Sequence, residues 1–222
     1  MAGWRGFRLA GSNWRDRLMA SCGAFLGIGL TGWICSFVAG DPASVILLGA
    51  PIGASAVLIF AVPSSPLAQP YAAIVGTVVS TLVGVFAART FGHTAFAAGL
   101  SVGGSILVMS ALRCLHAPGG GSALVPVIAG PEVLAHGYAL ALVPFGLNAL
   151  VLVLLGLVFH RVSGHSYPHR AQPPATAGID PEDIDAALDQ LGEPFDVSRA
   201  DLHALVAAAE RNAKLRRSGK RP

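Results

Sequence analysis

Long apolar segments separated by short polar breaks occupy most of this 222-residue chain. The runs with roughly the 20 residues that a membrane-spanning helix requires lie at about 18–38, 71–89, 94–113 and 136–160. Two further apolar segments, at about 44–62 and 116–130, are interrupted by proline and glycine. This pattern predicts an all-α integral membrane protein in which two of the helices are broken.

The two interrupted segments share a motif. The pattern A-P-x-G-x-S-A occurs at Ala50–Ala56 and again, 67 residues later, at Ala117–Ala123. The duplication predicts a transmembrane domain, 18–160, made of two homologous halves, about 18–89 and 94–160. Each half would consist of a span, a broken or re-entrant helix and a second span. In transporters built from repeats, interrupted helices converge on the substrate site.

Basic residues predict the orientation in the membrane. Residues 1–17 contain several arginines before the first span, and the last residues of the chain, 214–221, are also basic. Because positive loops stay on the cytoplasmic side, we expect both termini in the cytoplasm of a bacterial cell and the spans in its inner membrane. The number of crossings is then even. It is four, with parallel repeats, if both broken segments are re-entrant, and six, with inverted repeats, if both cross.

The second broken segment favours four crossings over six. Its apolar part, 122–129, is far shorter than a helix that spans about 30 Å of hydrocarbon. Non-helical backbone at membrane depth is tolerated only where protein buries it or where it lines a polar cavity. Two such stretches at equivalent places therefore predict a shared central cavity.

Composition excludes several classes of protein. Hydrophobic residues make up 53% of the chain, the mean hydropathy is +0.62, and the net charge of +3 comes largely from the termini. Basic residues do not interleave with aromatic ones, so we expect no nucleic-acid partner. Cys22, Cys35 and Cys114 lack metal-ligand spacing, and paired carboxylates, a P-loop and a nucleophile elbow are absent. We therefore expect no metal, no cofactor and no enzymatic activity.

Candidate binding residues cluster at the two motifs. A helix that begins at a proline followed by small residues directs unpaired N–H groups and a partial positive charge toward its start, which suits an anion. Arg113 and His116 precede the second motif, and His116 could relay protons or donate to an anion. The predicted substrate-binding residues are Gly53, Ser55, Arg113, His116, Gly119, Gly120, Gly121 and Ser122.

The C-terminal part differs from the rest. Residues 161–178 form a linker rich in proline and histidine, and 179–222 predict a short helical cytoplasmic tail. Asp180-Pro181-Glu182 is typical of a helix start, and Ser198 with Asp201 predicts a second one. Two such helices have no core of their own, so we expect the tail to dock on a partner or to remain dynamic.

The chain resembles the HPP family of small integral membrane proteins. The resemblance is carried by Gly49–Leu58, Pro63–Pro70 and His116-Ala117-Pro118-Gly119, and it covers about 15–160. Ala117 stands where the family's namesake motif has its first proline. The tail resembles the cytoplasmic segment that leads into CBS domains in longer members, and this sequence stops before any such pair.

The resemblance implies four spans and, for some members, nitrite transport. Together with the broken helices, it makes a transporter or channel for a small solute, such as an inorganic anion like nitrite, the leading function. We expect a homo-oligomer in the lipid bilayer. The alternative is a membrane sensor or scaffold that acts on a cytoplasmic partner through its tail.

Overall fold

A computed structural model of the chain describes residues 14–39, 49–170, 179–191 and 196–217. The regular elements in these ranges are all helical, which confirms the predicted fold class. The α-helices are α1 (Trp14–Ala39), α2 (Gly49–Ala61), α3 (Pro70–Phe91), α4 (Ala95–Ala111), α5 (Ala117–Ile128), α6 (Pro131–Ala135), α7 (Leu147–Ser163), α8 (Pro181–Leu191) and α9 (Arg199–Arg217).

Among the described residues, three helical segments are long and apolar enough to cross a membrane: Trp14–Phe37, Pro70–Phe91 and Gly137–Ser163. The 17-residue α4 reaches about 25 Å. The helices that carry the motifs are shorter, because α2 has 13 residues and α5 has 12. At about 1.5 Å per residue they reach about 20 Å and about 18 Å, so neither crosses the hydrocarbon alone; four crossings therefore require α4, which is shorter than the three candidate spans, to cross as well.

The two halves exchange their third helices. In the first half, α1 packs on α2, and in the second half α4 packs on α5. However, the helix that completes each group comes from the other half, because α7 packs on α1 and α2 while α3 packs on α4 and α5. The short helices α2 and α5 also contact each other. Neither half could therefore fold into this arrangement alone.

The last span is kinked, although the sequence predicted an uninterrupted helix over 136–160. It begins with a 3₁₀ turn (Gly137–Ala141), continues through a π-helical turn (Leu142–Gly146) and only then becomes α7. Val143 has non-helical angles, φ −133° and ψ 118°. Pro144 follows it, and a proline disfavours helical angles in the preceding residue and removes one N–H group. The kink sets the direction in which α7 starts.

Small residues let α3 and α5 cross with their backbones almost in contact. A Cβ atom added to Gly84 would lie 2.0 Å from the carbonyl oxygen of Ala123, and one added to Gly76 would lie 2.6 Å from that of Cys114. Glycines at such positions are typical of helix packing in membranes. By contrast, Gly103 of α4 faces open space.

The C-terminal helices α8 and α9 belong to a second compact unit, which runs from His169 onward and includes Ser64–Pro66. The start of α9 is capped as predicted. The Ser198 hydroxyl accepts a hydrogen bond from the N–H of Asp201 at 3.1 Å and donates one to the Asp201 carboxylate. Burial of Asp201 opposes its ionisation, but the hydrogen bonds from Ser198 and His169 outweigh this effect and hold the pKa of Asp201 below its usual value.

The crossing of α3 and α5 generates a test with a matched pair of variants. Gly84→Ala should lower the free energy of unfolding by about 1–3 kcal/mol or more, because the new methyl group meets backbone that cannot move aside. Gly103→Ala should be neutral or stabilise by up to about 1 kcal/mol, since alanine is the better helix former. Thermal unfolding of both variants in detergent measures the difference. Equal midpoints would contradict the close crossing.

Candidate functional site

A small polar cavity lies within the membrane unit where α2, α3, α5 and α7 meet. It encloses about 240 Å³ of empty space including its open mouth, and its narrow interior admits little more than a water molecule. Its lining is made of Pro51, Ile52, Ser55, Thr77, Ser122, Phe145, Asn148 and Ala149. Both halves of the repeat contribute, and none of the lining side chains is ionisable.

The two motif serines occupy equivalent positions in this cavity. Each lies one helical turn after the motif proline: the Ser55 hydroxyl is 3.2 Å from the Pro51 carbonyl oxygen, and the Ser122 hydroxyl is 3.4 Å from that of Pro118. Both serines are buried. Because a contact of 3.4 Å is a weak hydrogen bond, the Ser122 hydroxyl can turn toward a molecule in the cavity at little cost.

Asn148 is the polar group in the cavity that lacks a partner. Its side chain is only 2% exposed, and its Oδ1 atom accepts no hydrogen bond. It is the second residue of α7, so the kink after Val143 places it there. A buried acceptor without a donor costs about 1–3 kcal/mol, and a molecule that donates to it recovers this energy. A water molecule or another hydrogen-bond donor in the cavity would satisfy this atom.

His116 lies next to the cavity and contacts one of its lining residues, Ser55. It is fully buried at the start of α5, its Nδ1 atom is 2.8 Å from the carbonyl oxygen of Leu67, and its Nε2 atom is 2.8 Å from the Ser55 hydroxyl. A carbonyl oxygen only accepts, so Nδ1 carries a proton. His116 thus joins the start of α5 to the turn before α3 and to the serine of α2.

Two other histidines complete the opposite ends of the short helices. An α-helical donor for the Ile59 carbonyl would be residue 63, and one for the Val127 carbonyl would be residue 131, but both are prolines and have no N–H. His160 is 2.8 Å from the first oxygen, through Nε2, and His93 is 2.5 Å from the second, through Nδ1.

His93 and His160 are themselves separated by 67 residues, the offset of the repeat. Each follows or ends the third helix of one half and donates to the short helix of the other half. The side chain of His160 is only 2% exposed, so its bond to the Ile59 carbonyl lies inside the protein. The two histidine bonds thus follow the same exchange as the third helices, because each one links the third helix of one half to the short helix of the other.

The remaining predicted site residues lie outside the cavity lining. Gly53 is exposed and faces open space. The three glycines of the second motif point in different directions, since successive residues of a helix differ by about 100°. Gly119 faces Ser80 and Met109, Gly120 faces Val102 of α4, and Gly121 faces Pro51 of α2. Arg113 is exposed in the turn after α4, with φ +54°.

The sequence analysis did not include the two other polar residues of the cavity, Thr77 and Asn148, among the predicted site residues. The Thr77 hydroxyl donates to the Ala73 carbonyl at 2.7 Å, so it offers lone pairs to the cavity. A signal for Asn148 was present, because it is a lone carboxamide in the most hydrophobic span, and such residues are rare without a function. Of the three cysteines, Cys22 is exposed, whereas Cys35 and Cys114 are buried.

The helices, their repeat and the shared cavity define a polytopic membrane protein with two homologous halves. A family model described as the transmembrane region of HPP proteins matches residues 10–168. The chain belongs to the HPP family.

Curated relatives are membrane proteins of the same kind. A transmembrane protein of Dictyostelium discoideum is 37% identical over 150 residues, which cover 65% of this chain and 52% of that protein. A second one from the same organism is 34% identical over 139 residues, or 61% of this chain and 44% of that protein. This chain thus spans about half the length of these relatives. No solved structure matches it.

The buried histidine generates a stability test. His160→Phe should preserve the ring packing against Phe60, Phe159 and Tyr167 but leave the Ile59 carbonyl without a donor. We expect a loss of about 1–3 kcal/mol, measured by thermal unfolding in detergent. His136→Phe, at an exposed position, is the matched control. A loss no larger than that of the control would show that the cap is dispensable.

Proposed function

We propose that this protein carries or conducts a small solute across a membrane and binds it in the cavity between the two halves. The observation that carries the proposal is the unpartnered Oδ1 atom of Asn148, buried in the membrane unit. A side chain that only stabilised the fold would be expected to have a partner, since buried polar groups nearly always do. The exchanged helices also bring both broken segments to this one place, as in transporters built from repeats.

The solute class follows from the lining. Hydroxyl and carboxamide groups donate and accept hydrogen bonds, and the absence of carboxylates among the lining residues removes repulsion toward an anion. The narrow interior limits the solute to a few atoms without their water shell. A small inorganic anion would bind through the Ser122 hydroxyl and the Asn148 N–H groups, with the carboxamide turned so that Oδ1 points away, because Oδ1 and the Thr77 lone pairs only accept hydrogen bonds. Nitrite is the first candidate because it is the solute that the family resemblance implies. The role is that of a transporter or channel and not of an enzyme.

The proposal also covers the location of the protein in the cell, the orientation of its termini and its oligomeric state. The protein would lie in a bacterial inner membrane with both termini in the cytoplasm, as the basic residues before α1 and after α9 favour. A homo-oligomer is part of the proposal, with a contact at the open apolar groove along α2 and α5, which measures about 1130 Å³ including its open side and is lined by residues such as Ala54, Val57, Leu124 and Ile128. Lipid or a second copy would cover this groove.

Nitrite flux into proteoliposomes tests the proposal. Asn148→Leu preserves the volume of the side chain but removes its polar atoms, so nitrite flux should fall by about tenfold or more, equivalent to about 1.4 kcal/mol. Ser122→Ala should cause a smaller loss. Gly103→Ala, which faces open space outside the cavity, should transport like the unmodified protein. Equal flux for Asn148→Leu and Gly103→Ala would refute the assignment of the cavity.

The second candidate function, a sensor or scaffold, rests on the tail. Its helices α8 and α9 form an open apolar groove of about 1100 Å³, including its open side. Residues such as Ile184, Leu188, Leu202 and Val206 line this groove. A soluble partner could bind there.

Truncation after Arg170 separates the two functions. This end point spares Tyr167, whose hydroxyl donates to the Ala68 carbonyl at 2.9 Å inside the membrane unit. A transporter should keep nitrite flux within about twofold after the truncation, because no residue of the cavity is removed. Complete loss of flux from a truncated protein that still folds, as judged by its thermal unfolding, would favour a role that depends on the tail.

A further inference from the structure

We propose that His116 and Ser55 form a proton relay that couples the binding of an anion in the cavity to the uptake of one proton. The inference rests on the proposed function and deepens it by naming the coupling ion. Its basis is the arrangement of hydrogen-bond donors and acceptors around Ser55, which lines the cavity and is the contact of the buried histidine.

When His116 is neutral, the hydroxyl proton of Ser55 already takes part in a hydrogen bond within the protein. The Leu67 carbonyl requires a proton on Nδ1 of His116, so a neutral imidazole has a bare Nε2 that must accept. The Ser55 hydroxyl lies 2.8 Å from Nε2 and 3.2 Å from the Pro51 carbonyl oxygen, and its proton can serve only one of these acceptors at a time. An anion that also needs this proton has to compete with the histidine.

Protonation of His116 reverses the direction of the first bond. When Nε2 takes up a proton from water, it donates to a lone pair of Ser55 Oγ, and the hydroxyl proton becomes free to donate to an anion in the cavity. No covalent bond other than the new N–H bond forms, and the same proton returns to water when the anion leaves. Because each event favours the other, anion affinity and proton affinity rise together, as linkage requires. The imidazolium also offsets the charge of the anion in a medium of low polarity.

The surroundings of His116 supply no other charge for this role. In the part of the chain that the structure describes, its contacts are the Ser55 hydroxyl from α2 and the Leu67 carbonyl, and α3 approaches it at Gly76. Among the titratable residues around this part of the chain, Cys114 is buried, and the Tyr71 hydroxyl of α3 donates to the Leu112 carbonyl at 3.2 Å. Arg113 is exposed.

Calorimetric titration of the full chain in detergent with sodium nitrite tests the relay. Titrations at about pH 7.5, above the ordinary pKa of histidine, in two buffers with different ionisation enthalpies give the number of protons taken up per nitrite. We expect close to one, and a Kd that rises up to about tenfold per unit of pH above neutrality.

Substitutions at His116 and Ser55, with a control at His136, separate the relay from a structural role. His116→Gln keeps hydrogen-bonding groups but cannot be protonated, so nitrite should bind with no proton uptake and with a Kd that does not change with pH. If that variant does not fold, Ser55→Ala should likewise abolish the coupling, and Ser55→Thr, which keeps the hydroxyl, should restore it. His136→Gln, an exposed histidine outside the cavity, should keep the full uptake.

The outcomes also distinguish the relay from the function on which it rests. Nitrite that binds to the unmodified chain without proton uptake would overturn the relay and leave the binding site standing. Proton uptake that survives in both His116→Gln and Ser55→Ala would assign the coupling to another group and overturn the relay as well. Absence of both nitrite binding and nitrite flux would refute the proposed function and the relay together.

Discussion

Backbone carbonyls that lose their helical donors in an apolar environment have to be satisfied by another part of the protein, and the arrangement of this membrane unit depends on that constraint. Both short helices end at a carbonyl whose donor position is a proline. The donors come from His160 for α2 and from His93 for α5. Each histidine is supplied by the half of the repeat to which the short helix does not belong. The two halves are thereby held together at chemically equivalent points.

The central cavity is a consequence of this exchange. With α3 packed on α5 and α7 packed on α2, the two short helices meet between them, and the motif serines face a common space. Glycines at the crossing of α3 and α5 bring the helices close enough to keep that space narrow. Most polar groups there are satisfied within their own helix. Asn148 is different, because no residue that the structure describes donates to its Oδ1 atom.

The helices were more predictable than the orientation of their side chains. Apolar run length and proline positions indicated α1 to α5 within a few residues, and the repeated motif correctly pointed to Ser55 and Ser122 as neighbours across the two halves. The same motif suggested Gly119, Gly120 and Gly121 as a group. These glycines face three different neighbours, since each step along a helix turns the side-chain direction by about 100°. A motif read as a string of letters does not contain that rotation.

The amino-acid sequence by itself determined the all-helical membrane class, the two-part repeat, the places where helices break and the capped helices of the tail. These features depend on hydrophobicity, on the missing N–H of proline and on local capping, all of which act over a few residues. Only the tertiary structure decided which half completes which helix group, that the last span bends at Val143, and that Asn148 and Thr77 enter the cavity. These outcomes depend on contacts between residues far apart in the chain, where close packing selects one arrangement among several that satisfy the same local rules.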